Sequence, residues 1–114
     1  MGDRAMAEIK TEGGSFYVYT HWYGTDFPEM ARDAIMAAKS RWDDLTYANR
    51  IIVDQLIRPG RDDESGFGLM LRPDAEDEYN NDQPSVIIDL IKRELSIIHD
   101  QNPMVYPFAL LDTL

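Results

Sequence analysis

The chain has no cysteine. That excludes disulfides, thiolate metal sites and a cysteine nucleophile. Histidine is almost as scarce, with only His21 and His99. No apolar run approaches the roughly 18 residues of a membrane span, and the first residues lack the apolar core of a signal peptide. A cytoplasmic protein is therefore expected. Bases are outnumbered, 11 against 21 acids, for a net charge of −10 at pH 7. A field of that sign repels nucleic-acid phosphates and anionic lipid, so neither direct nucleic-acid binding nor membrane binding is expected. Familiar catalytic signatures are missing as well. There is no Gly-x-Ser-x-Gly elbow, no P-loop and no dinucleotide-binding glycine pattern, so no catalytic residue and no cofactor is nominated.

What remains is a chain of 114 residues, 44% apolar and 11% aromatic. This suits one folded domain with its own core. The charge is unevenly spread. Residues 62–82 hold eight acids (Asp62, Asp63, Glu64, Asp74, Glu76, Asp77, Glu78 and Asp82) against Arg72 alone, a net −7. The stretches on either side are close to balanced. Such a block is either a solvated loop or a surface that meets a basic partner.

Residues 1–14 are polar, end in Gly13-Gly14, and are expected to form a flexible leader ahead of a domain spanning 15–114. Ser15 to Thr20 is β-branched and aromatic and predicts a strand, with Phe16 and Val18 on one side and Tyr17 and Tyr19 on the other. Asp26 with Glu29 fits a capping box, Pro28 suits a first helical turn, and Phe27, Met30, Ala31, Ala34, Ile35 and Ala38 trace one helical face. A second helix is predicted from an Asp43 N-cap, with Trp42 and Tyr47 as a hydrophobic staple and Ala48, Ile51, Ile52 and Leu56 as its buried stripe. Pro59-Gly60 stops it. Gly66 to Leu71 predicts a short strand whose glycines mark a bulge or a close backbone approach. An acidic loop follows over 73–84.

Ser85 to Ile98 fits two patterns. Ile87, Leu90, Ile91, Leu95 and Ile98 match a helical stripe. Val86-Ile87-Ile88 and Ser96-Ile97-Ile98 about Lys92-Arg93 match a hairpin, which the β-branched clusters and Pro84 favour. The tail, 103–114, is apolar and proline-interrupted, so it is expected to be extended and packed, on its own sheet or across a two-fold axis in a homodimer. The order β-α-α-β-β-β predicts an α+β domain with two helices on one face of a mostly antiparallel sheet.

Several short runs carry a resemblance: Val18-Tyr19-Thr20-His21-Trp22 with Gly24, Arg41-Trp42-Asp43-Asp44, Arg50-Ile51-Ile52, and Glu64-Ser65-Gly66-Phe67-Gly68. In this order they resemble a group of small uncharacterised proteins encoded by bacteriophages and prophages. The likeness covers roughly residues 15–90. It implies a bacterial cytoplasm and an accessory role, and it carries no assigned activity. The longer acidic loop and the apolar tail depart from the group.

Three functional readings follow. In the first, the acidic surface engages a basic site on a host protein, as a nucleic-acid mimic or an inhibitor would. Asp74, Glu76, Asp77, Glu78 and Asp82 are its carriers and Tyr79 an apolar anchor. The second is a small enzyme or a small-molecule or metal site around His21, Trp22, Tyr23 and His99, since both histidines follow predicted strands and can meet at one sheet end. The third is a structural oligomer component of a phage particle. Calcium binding by an EF-hand loop is excluded, because counting from Asp74 places Tyr79 and Ser85 where glycine and a carboxylate are required. Basic pairs such as Arg58 with Arg61 and Lys92 with Arg93 are too few to build a nucleic-acid groove around Trp22 and Tyr23.

Overall fold

Ala5, Ala7 and Ile9 alternate with Met6, Glu8 and Lys10, and this period of two puts the first set on one side of a strand. In the computed structural model, which describes residues 3–71, 85–99 and 102–113, they form β1 (Ala5–Thr11). A tight turn at Glu12-Gly13 leads into β2 (Gly14–Thr20), paired antiparallel from Ala5↔Thr20 to Thr11↔Gly14. Gly14 takes φ 130°, a conformation closed to other residues. The expected flexible leader is therefore corrected: from Ala5 onward it is an interior strand, with Ala7 and Ile9 fully buried. The sheet runs β3 (Phe67–Met70), β2, β1, β4 (Val86–Asp89), β5 (Glu94–His99), β6 (Asn102–Pro107).

Helix α1 (Phe27–Ala37) buries Phe27, Ala31, Ala34 and Ile35, as its stripe predicts. Pro28 stands in its first turn, but Asp26 makes no side-chain cap, so the expected capping box does not form. Helix α2 (Leu45–Ile57) is capped by Asp44, which accepts from Tyr47 N–H, one residue later than the expected Asp43. The shift follows from Trp42. Its indole Nε1 donates to Ile35 O at 2.9 Å, and its ring meets Phe108 at 5.2 Å between centroids. Held there, Trp42 belongs to the connection between the helices, not to a staple on α2.

Strand β3 (Phe67–Met70) pairs antiparallel with β2. Strands β4 (Val86–Asp89) and β5 (Glu94–His99) form the hairpin reading of 85–98. Asp89 decides against the helix: its Oδ1 accepts from the N–H groups of Ile91 and Lys92 at 3.0 and 2.9 Å, and Arg93 turns the chain with φ 56°. Strand β6 (Asn102–Pro107) pairs antiparallel with β5, and a 3₁₀ turn, Phe108–Thr113, follows. The tail thus packs within its own domain, with Phe108 and Leu111 in the core.

Among the described residues, only β1 and β4 pair in parallel. The expected order β-α-α-β-β-β is present from β2 to β5, with one strand added at each end. Both helices and the inward residues of the sheet (Ala7, Ile9, Val18, Val86, Ile88 and Leu95) share one core cluster. Each large side chain buried there contributes about 1.5–3 kcal/mol through its removal from water. The protein is an α+β domain with its helices on one sheet face. Among the described residues, no helix is long and apolar enough to cross a membrane.

Candidate functional site

The connection from α2 to β3 sorts its charges abruptly. Asp54, in the last turns of α2, accepts from Arg58 at 2.8 Å and lies 3.5 Å from Arg61. The Arg58 hydrogen bond, with the charge of both arginines, holds its carboxyl below the usual carboxylate range. After Arg61 come Asp62, Asp63 and Glu64, all exposed and, among the described residues, without an ion-pair partner. Gly66 then takes φ 104°, its carbonyl accepts from His21 N–H at 2.9 Å, and the β2–β3 ladder begins. The first half of the acidic segment is in this way presented beside the first residue of a strand.

That strand lies at an edge of the sheet. On the helix side, Leu69 is 62% exposed and borders a groove of about 430 Å³ between β3 and α2. Phe16, Val53, Ile57 and Leu69 give the groove apolar walls, while Thr46, Asn49, Arg50 and Asp54 are its polar members. Asn49 Oδ1 is buried, with no hydrogen-bond partner among the described residues. A smaller hollow of about 120 Å³ continues along the strand past Phe67, Gly60 and Asp63. Sequence reasoning missed both. The available signal was Leu69-Met70-Leu71, which puts two leucines on the same side of a short strand that sits inside the acidic segment.

The carboxylates that the sequence nominates for partner binding, Asp74, Glu76, Asp77, Glu78 and Asp82, lie with Tyr79 outside the described residues. The second nominated group is only partly assembled. His21 follows β2 and its Nδ1 lies 3.0 Å from Tyr19 Oη and 3.4 Å from Arg4 Nε. Trp22 meets His21 edge-on at 4.3 Å and is 57% exposed, whereas Tyr23 turns away to stack on Phe67 at 5.7 Å. His99 ends β5, at the same end of the sheet, but β1 and β4 lie between β2 and β5. Three strand spacings put about 14 Å between the two histidine positions. The two positions share a sheet end but stand three strands apart, because β1, read from the sequence as a leader, is inserted between them. Among the described residues, no three His, Asp or Glu side chains gather as a metal-ligand set.

The chain matches no protein-family model, no curated protein and no solved structure.

Proposed function

We propose that the protein acts by non-catalytic binding, with the acidic segment 62–82 engaging a basic site on another protein. One observation carries the reading: a net −7 is concentrated in this segment, and its described acids, Asp62, Asp63 and Glu64, are exposed at the entry to an edge strand with no ion-pair partner among the described residues. Carboxylates spaced along a chain imitate backbone phosphates, so a basic cleft that handles nucleic acid is a natural target. The phage-type resemblance supports a host protein of the bacterial cytoplasm as the partner. Electrostatics of this kind mainly speeds association and is screened within about 10 Å at moderate salt.

The test is capture from bacterial lysate with the native chain and with a variant carrying all eight acids of 62–82 as Asn or Gln. A protein retained at low salt by the native chain, and lost both at high salt and with the variant, supports the reading. Equal retention by the variant overturns it.

A further inference from the structure

The two edges of the sheet are built differently. On β6, Phe108 N–H donates to Arg93 O, which fixes 93/108 as a hydrogen-bonded pair and, by alternation, 95/106, 97/104 and 99/102 as well. The residues of β6 whose backbone faces outward are therefore Pro103, Val105 and Pro107. Two of the three have no N–H to offer, a standard way to close a sheet edge. On β3, His21 N–H donates to Gly66 O, so the inward pairs are 21/66, 19/68 and 17/70. Phe67, Leu69 and the following Leu71 present their backbone outward, and none is proline. Among the described residues, nothing pairs with this edge.

We propose that the open edge of β3 takes up an extended, basic segment of a partner protein as an additional antiparallel strand. This deepens the binding reading above and rests on it for the sign of the partner's charge. An antiparallel strand that pairs with Leu69 directs alternate side chains to the helix side, where Leu69, Val53 and Ile57 offer an apolar groove. Asp62, Asp63 and Glu64 stand exposed just before β3, so cationic residues on such a strand are favoured.

The probe is a synthetic peptide of about eight residues with alternating Lys and Val, titrated against the full chain by calorimetry. In the antiparallel register, valines on the groove side are the residues bonded to β3. N-methylation of the valine amides is expected to weaken binding by about tenfold or more, and N-methylation of the lysine amides to leave it unchanged. Equal affinity for the two methylated peptides overturns strand addition. So does a chain that sediments as a dimer and becomes monomeric on Leu69→Pro. The charge reading fails separately, if Asp62, Asp63 and Glu64 can be replaced by Asn and Gln without loss of affinity while the methylation difference persists. Because the methylated peptides leave the protein untouched, the comparison between them still decides the matter if the Leu69→Pro chain fails to fold.

Discussion

Trp42 and Ile35 are joined by a hydrogen bond of 2.9 Å from the indole Nε1 to the backbone carbonyl in the last turn of α1. The same indole ring leans on Phe108, which starts the C-terminal turn. One side chain thus ties the end of the first helix, the connection to the second, and the last described element of the chain.

Removing only the hydrogen bond tests how much of this is polar. Trp42→Phe keeps an aromatic surface against Phe108 and is expected to cost about 1 kcal/mol. Trp42→Ala also empties a partly buried site and is expected to cost roughly 3 kcal/mol. Urea unfolding should show a lower midpoint at an unchanged slope in both variants, with the order Phe above Ala.

Gly24 is where the N-terminal segment is latched. Its N–H donates to Asp3 O at 2.7 Å, and a Cβ at this position would lie 2.7 Å from Asp3 O and 2.8 Å from Arg4 O. Asp3 Oδ1 is as close, at 2.7 Å, but the two carbonyls are backbone atoms, so the clash moves the chain and not a side chain alone. Gly24→Ala is expected to destabilise the protein by about 1–3 kcal/mol. Hydrogen exchange should report the loss first at Asp3 and along β1. Uniform exchange across all strands would show that the latch is not local.

The parts of this architecture legible in the sequence are those where period and local chemistry agree. The α1 stripe, the strand at Ser15–Thr20 and the hairpin about Asp89 all carry their own signals. β1 was hidden because two of its inward residues are alanines, which add little hydrophobic contrast, and because Glu8, Lys10 and Thr11 read as a polar leader. Its placement between β2 and β4 is a long-range pairing that no local pattern encodes. The separation of His21 from His99 follows from that one missed strand. The groove was hidden for a related reason: Leu69 and α2 meet only through the β2–β3 register, which no local pattern encodes.

Asp89 makes the hairpin turn testable. Its Oδ1 accepts two backbone N–H groups, and the turn ends in Arg93 with a left-handed backbone. Asp89→Ala is expected to cost about 1 kcal/mol, in line with other side chains that cap free amides, whereas Asp89→Asn keeps an acceptor and should cost less. Thermal unfolding of the pair checks this. An Ala variant as stable as the Asn variant would show that the β4–β5 ladder alone sets the turn.

Two carboxylates with lowered pKa values, from different causes, give the pH dependence a sign and a control. Asp3 is lowered chiefly by hydrogen bonds from the Thr25 side chain and then its backbone N–H. Asp54 is lowered chiefly by the hydrogen bond from Arg58, with the charges of Arg58 and Arg61 adding to it. In both cases the folded state holds the ionised form more tightly than the unfolded chain does. The stabilisation is therefore fully present above the ordinary carboxylate pKa and is lost as the pH falls through the lower folded value. Carboxyl carbon shifts followed by NMR across the acid range should place both groups below unperturbed aspartate. Thr25→Val should return Asp3 toward its ordinary value and leave Asp54 alone, and Arg58→Gln should do the reverse. Raising the salt should move Asp54 more than Asp3, because part of the Asp54 shift is charge–charge attraction that mobile ions screen, while a short hydrogen bond is not screened in this way. If salt moved the two equally, the arginine charges would not contribute at Asp54, and the ion pair that closes α2 ahead of the acidic segment would be a contact of geometry alone.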